Sequence, residues 1–193
     1  MKHNRVEDYI HIEKGIIPKN VCDHILSVIE IQKWNPHAWY NPVTNMSISE
    51  KTMELDVLAS NKEMQDLLTP YIIESGAIYN SKYAYFDNER TKQIIDKFCT
   101  IRFNRYSPGQ IMRKHHDHIH SIFDGMEKGI PVLSFVGNLN EDYDGGELVF
   151  FDGETKIKLG TGDICMFPSC FMYPHQVYEV TRNQRYSFVT WAW

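Results

Sequence analysis

The sequence predicts a mainly β chain with N-terminal helices, an α+β arrangement in which a jelly roll or small barrel is backed by helices. Three observations carry that expectation. Apolar residues recur at helical spacing in two stretches of the N-terminal half, about eight short strand-like stretches follow from Cys99 onward, and the turns between them carry Gly, Pro and Asp. At 193 residues the chain is close to the size of one domain, with residues 1–98 read as a helical and strand support and residues 99–193 as the β core.

Taken in order, Tyr9 to Glu13 alternates apolar and polar residues as a short strand does, and Lys14-Gly15 turns the chain toward a helix starting near Pro18 or Asn20. Val21, Ile25, Val28, Ile29 and the run Ile31 to Trp34 give that helix an apolar stripe for packing. Asn35 to Asn45, with Pro36, Pro42 and interleaved Trp39 and Tyr40, reads as an irregular loop whose aromatics either lie over a cleft or, on the plainer reading, cap the core. Glu54 to Ala59 reads as a strand. A helix from about Asn61 to Tyr79 follows, with Met64, Leu67, Leu68, Tyr71, Ile72 and Ile73 at helical spacing and a kink expected at Pro70.

Beyond the polar segment Asp87 to Lys97 the pattern is of strands: Cys99 to Tyr106, Ile111 to His120, Val132 to Leu139, Glu147 to Phe151, Lys156 to Leu159, Asp163 to Phe167, Val177 to Val180 and Arg185 to Trp193. Ser107-Pro108-Gly109, Asp144-Gly145-Gly146, Asp152-Gly153 and Gly160-Thr161-Gly162 punctuate them. The sequence contains neither an internal repeat nor a low-complexity tract.

Hydrophobic residues at 42% and aromatics at 13% describe an ordinary globular chain. A net charge of -5 offers no global attraction to phosphate backbones or anionic lipid, so a nucleic-acid partner and a membrane are not expected. A basic cluster, Lys92, Lys97, Arg102, Arg105, Arg113 and Lys114, is read as solvated strand and loop positions. Cys22, Cys99, Cys165 and Cys170 are scattered in apolar contexts without a Cys-x-x-Cys pair, as buried free thiols are. With no signal-peptide core at the N-terminus and no long apolar stretch, the expected location is the cytoplasm. Nothing in the sequence sets an oligomeric state.

The chemistry concentrates in His115-His116-Asp117-His118-Ile119-His120. On an extended strand His115 and Asp117 share one face while His116, His118 and His120 share the other. The first face supplies a His-x-Asp pair, which one distant histidine would complete as a two-histidine-one-carboxylate site for non-haem Fe(II). The second supplies His-x-His, which with His175 would make a three-histidine, cupin-like site for a binding protein. His175 is the single histidine of the second half outside the tract, and Arg185 follows it by ten positions, placed to clamp a carboxylate with parallel hydrogen bonds.

From Tyr106 to Trp191 the chain resembles the 2-oxoglutarate- and Fe(II)-dependent dioxygenases, most of all their prolyl 4-hydroxylase-like branch. The matching pieces are Tyr106-Ser107-Pro108-Gly109, His115-His116-Asp117, Leu139-Asn140, Gly145-Gly146-Glu147-Leu148, Gly162-Asp163, Phe167-Pro168, and His175 with Val177, Val180, Arg185, Ser187 and Trp191. The resemblance implies a double-stranded β-helix with Fe(II) held by His115, Asp117 and His175. It further implies 2-oxoglutarate bound by Arg185 and Ser187 at one carboxylate, with Tyr106 near the chelating end and Asn138 where some members offer a tyrosine. O2 would be the oxidant and ascorbate an accompanying reductant, and hydroxylation of an unactivated C–H bond would release succinate and CO2. A peptide or protein, with a prolyl-type residue among the candidates, or a small molecule would be the substrate. Nucleic-acid demethylases of the AlkB type share the triad but carry a second arginine six residues after the first, where this chain has Trp191. Asn35 to Asn45 and Ser121 to Pro131 are the expected lids.

Overall fold

The computed structural model describes residues 5–41, 46–49, 53–83, 95, 97–117 and 129–193. In chain order it contains a 3-10 turn (Val6–Tyr9), β1 (His11–Glu13), α1 (Lys19–Ile29), β2 (Asn35–Pro36), β3 (Trp39–Asn41), β4 (Met46–Ile48), β5 (Asp56–Ala59) and α2 (Lys62–Tyr83). The second half supplies β6 (Arg102–Tyr106), β7 (Met112–His115), β8 (Leu133–Asn138), β9 (Asp144–Gly145), β10 (Leu148–Phe150), β11 (Thr155–Ile157), β12 (Ile164–Pro168), β13 (His175–Val177), β14 (Val180–Arg182) and β15 (Arg185–Ala192). His118 and His120, the polar segment as far as residue 94, and most of the expected lid from Ser121 lie outside the described residues.

The strands form a seven-stranded sheet, β1-β12-β8-β15-β6-β5-β2, facing a four-stranded sheet, β11-β10-β13-β7, with two short ribbons, β9 with β14 and β3 with β4. Every named pairing is antiparallel, the arrangement of a jelly roll. The expected boundary near residue 98 is not a boundary in the sheet. β1 pairs with β12 and β5 with β6, so the N-terminal half extends the larger sheet as well as backing it. The stretch read as an irregular loop from Asn35 to Asn45 contains β2 and β3, because each finds a partner strand, β5 and β4, that local sequence could not reveal. Val177 to Val180, expected as one strand, divides into the ends of β13 and β14, which join different sheets.

Alternation on the long strands divides the core in two. Phe103 on β6, Leu133 and Phe135 on β8, and Tyr186, Phe188 and Ala192 on β15 face the helices, where they meet Cys22, Ile25 and Ile29 of α1 and Met64, Leu68 and Ile72 of α2. The opposite faces of the same strands turn inward between the sheets and carry Tyr106, Val136 and Val189 against Leu148, Phe150 and Val177. Helix α2 runs without interruption through Pro70. All four cysteines are free, and among the described residues no helix is long and apolar enough to cross a membrane.

Candidate metal and carboxylate site

Two strands of the smaller sheet bring the first ligand candidates together. β7 and β13 pair so that His115 lies directly opposite His175, and their rings stand 4.3 Å apart. Asp117 follows two residues after β7 ends. Its Oδ1 lies 3.7 Å from His115 Nε2 and 3.8 Å from His175 Nε2. One ligand atom from each of the three residues falls within 4.8 Å of the others, the single group of this kind found among the described residues. His116 is exposed and stands outside it.

Backbone carbonyls fix how each imidazole presents itself. His115 Nδ1 is 2.8 Å from the Arg113 carbonyl and His175 Nδ1 is 3.0 Å from that of Tyr173. A carbonyl can only accept, so both rings carry their proton on Nδ1 and offer an Nε2 lone pair toward Asp117. Burial, and then the nearby His175, lowers the His115 imidazole to about 4. Burial by itself raises the Asp117 carboxyl, but His175, His115 and the donors Ser134 and Trp191 outweigh it and hold the group below its ordinary value. Ser134 Oγ donates to Asp117 Oδ2 and lies 2.6 Å from Ser169 Oγ. Two neutral imidazoles and one carboxylate, converging and oriented from behind, fit non-haem Fe(II).

The walls around the triad come from both halves of the chain. Phe167 and Phe150 stand 4.8 and 5.5 Å from the His175 ring. Trp39 stands edge-on to His115 at 5.4 Å, so it borders the cleft rather than merely capping the core. Its indole donates to the carboxylate of Glu54, which also accepts from Arg113 Nε at 2.6 Å and lies 3.4 Å from His37.

From the triad a cavity of about 430 Å³, its open mouth included, runs between the sheets to Arg185. β15 alternates so that Arg185, Ser187, Val189 and Trp191 all line it, and β6 contributes Arg102, Asn104 and Tyr106 from the facing register. Arg185 is 1% exposed. Its Nε donates to the Tyr143 hydroxyl at 3.3 Å and its guanidinium stacks 5.0 Å from the Tyr106 ring. Arg185 Nη1 and Ser187 Oγ are sealed from solvent without a hydrogen-bond partner, and so is Asn104 Oδ1. Buried polar atoms are normally paired, so these orphans outline a cradle for a polar ligand, and a guanidinium beside a hydroxyl suits a carboxylate. Burial raises the Tyr106 phenol above its ordinary value, which keeps it a neutral donor.

Asn138 takes a different place from the one expected. Its amide nitrogen donates to the carbonyls of Asn140 at 2.6 Å and Leu159 at 3.0 Å, and its oxygen lies 3.4 Å from the Tyr143 hydroxyl. The residue that contacts Arg185 is Tyr143, and Asn138 stands behind it. The signal was its position directly before Asp144-Gly145-Gly146. Both glycines have positive φ, +72° and +66°. A Cβ on Gly145 would overlap the Glu179 carbonyl, and one on Gly146 would press on Arg185 Cδ at 3.1 Å. The glycine pair lets the turn close over the arginine.

Residues 101–193 match the model of the 2OG-Fe(II) oxygenase superfamily. The chain is 35% identical over 105 residues to a PKHD-type hydroxylase of Idiomarina loihiensis, covering 53% of this chain and 44% of that protein. A PKHD-type hydroxylase of a Psychrobacter species is 42% identical over 69 residues, covering 35% and 26%. The chain thus spans less than half the length of these curated relatives. Among solved structures, the viral collagen prolyl hydroxylase of Paramecium Bursaria Chlorella virus-1, in its 2OG complex, superposes with a TM-score of 0.66 at 17% identity, over 95% of this chain and 94% of that one. A prolyl-4-hydroxylase of Pseudomonas putida gives 0.66 at 18% identity, over 95% and 91%. Over residues 101–193 the chain is thus similar to the 2OG-Fe(II) oxygenase superfamily, and its fold is the one these two prolyl hydroxylase structures share.

Proposed function

We propose that the protein is an Fe(II)- and 2-oxoglutarate-dependent hydroxylase whose substrate is a peptide or protein, a prolyl-type residue being the first candidate. The observation that carries the reading is the pairing of ends in one cavity. A His115–Asp117–His175 cluster, with ligand atoms within 4.8 Å of one another, lies at one end, and a buried arginine with an unpartnered Nη1 lies at the other. In this reading the two regions of the chain work as a single oxygenase domain.

The chemistry that bound Fe(II) supplies is R–H + 2-oxoglutarate + O2 → R–OH + succinate + CO2. The residues bind, orient and enclose. His115 and His175 give Nε2 lone pairs and Asp117 a carboxylate, each fixed by a hydrogen bond from behind. Arg185 and Ser187 would hold a carboxylate of 2-oxoglutarate, with Tyr143 supporting Arg185 and the neutral Tyr106 phenol available as a further donor. Phe150, Phe167 and Trp39 keep water from the triad. The prolyl-type substrate rests on the relatives named hydroxylases and on a prolyl hydroxylase of Trichoplax adhaerens solved with a hypoxia inducible factor peptide, TM-score 0.67 at 16% identity.

A cupin-like binder without 2-oxoglutarate leaves the buried Arg185 without a purpose, and Trp191 occupies the position where AlkB-type demethylases carry their second arginine. The deciding experiment adds Fe(II) and 2-oxoglutarate without oxygen and follows the visible metal-to-ligand charge-transfer band. Its appearance, followed by peptide-stimulated succinate release and a gain of one oxygen by mass, is the expected result. A protein that binds Fe(II) but yields no band with 2-oxoglutarate is not this enzyme.

A further inference from the structure

Of the basic cluster before the histidine tract, Arg105 meets Asp56 at 2.9 Å, Arg113 meets Glu54 at 2.6 Å, and Lys114 pairs with Asp152. Arg102 differs. It lines the cavity of the metal triad, its Nε is sealed from solvent without a hydrogen-bond partner, and no ion pair joins it to the described residues. Its guanidinium carbon lies 5.5 Å from the centre of the Trp191 ring. Sequence reading placed it on a solvated strand face, but the period of β6 puts Arg102, Asn104 and Tyr106 on the inward side together.

Its place along the cavity separates it from the 2-oxoglutarate cradle. Arg102 pairs opposite Val189, whereas Arg185 pairs opposite Tyr106. The two arginines therefore stand four residues apart along the strands, about 13 Å at the usual rise. A five-carbon dicarboxylate held by Arg185 and the metal does not need a second guanidinium beyond the metal. Charge leads the same way. The cavity is lined by two arginines, one aspartate and two neutral imidazoles, a net of one positive charge. Fe(II) and the 2-oxoglutarate dianion cancel each other and leave that charge in place. Burial lowers the pKa of the half-buried Arg102, although the charge of Asp117 works against it; with that carboxylate committed to the metal triad, a guanidinium whose Nε is sealed and unpartnered has no anion of its own until one arrives with a ligand.

We infer that Arg102 is a substrate-binding residue that takes a carboxylate carried by the substrate and holds it beside the metal triad. The substrate class is then a carboxylate-bearing one, either a small acid or a peptide with an acidic side chain or a free C-terminus near the hydroxylated carbon. The stacking on Trp191, which also faces Asp117, fixes where the guanidinium points. This inference rests on the oxygenase reading above.

The test uses the full chain loaded with redox-inert Zn(II) and 2-oxoglutarate, with acetate and acetamide as probes in saturation-transfer NMR and calorimetry for 2-oxoglutarate itself. The wild type is expected to bind acetate at least tenfold better than acetamide. Arg102→Met and Arg102→Gln are expected to abolish that preference, Arg102→Lys to keep much of it, and all three to bind 2-oxoglutarate within threefold of the wild type. Unchanged acetate binding in Arg102→Met and Arg102→Gln overturns the inference. So does a tenfold loss of 2-oxoglutarate binding with acetate unaffected, which would assign Arg102 to the co-substrate. Wild-type protein that takes up neither Zn(II) nor 2-oxoglutarate overturns the oxygenase reading along with it, an outcome distinct from the other two. Thermal melting of each variant identifies those that fold, and the lysine and glutamine variants carry the test if the methionine variant does not.

Discussion

Ser134→Ala removes one hydroxyl and leaves the three metal-ligand candidates untouched. Ser134 is 1% exposed, its Oγ donates to Asp117 Oδ2, and it is backed by Ser169 Oγ at 2.6 Å. A hydrogen bond to a charged group contributes about 1.5–3 kcal/mol, which at 1.4 kcal/mol per decade is about 10- to 150-fold in affinity. The Trp191 indole remains as a donor to Asp117, so the lower half of that range is expected, about 10- to 40-fold weaker metal binding. Ser169→Ala acts one bond further away and should cost only a few-fold. Anaerobic Co(II) titration followed by the visible d–d bands measures both, with far-ultraviolet circular dichroism as the control for folding. A folded Ser134→Ala protein that binds Co(II) as tightly as the wild type would show that Asp117 is not held for a metal.

Arg185→Met should weaken 2-oxoglutarate binding at least about 30-fold, the lower end of what a buried charge pair contributes, while Co(II) affinity stays within a few-fold. Equal losses for both ligands would remove Arg185 from its assigned role. Gly137→Ala should destabilise the protein by about 1–3 kcal/mol in urea unfolding, because Gly137 lies directly opposite Phe188 and an added methyl would overlap that ring. Combining it with Phe188→Leu should recover part of the loss, and strict additivity would argue against the clash. Glu54 gives a pH prediction. Burial raises its pKa, but donors from Arg113, Trp39 and His37 outweigh that and hold it below 4.5. A depressed carboxyl stabilises the fold above its unfolded pKa, and that contribution is lost as pH falls through the folded value. Glu54→Gln should therefore flatten the acid limb of stability below about pH 4.5, and a limb as steep as that of the wild type would refute the assignment.

The sequence by itself determined the parts that depend on local spacing. The alternation of the strands after Cys99, the two apolar helical stripes and the turn residues between strands set the fold class, since periods of 2 and 3.6 are properties of the chain alone. The metal-ligand candidates were legible for a related reason. His115 and Asp117 are two residues apart, and one histidine remained in the second half to join them. What only the tertiary structure decided are the relations across strands. The His115–His175 register makes two distant imidazoles neighbours, and the contacts from Asn138 to Tyr143 to Arg185 put a phenol between the amide and the guanidinium. Trp39 reaches His115 because Glu54 and Arg113, distant in the sequence, anchor it. The same holds for Arg102. In one dimension it belonged to a basic surface cluster, and only the pairing of β6 with β15 turns it into the cavity that Asp117 shares, with its Nε unpartnered.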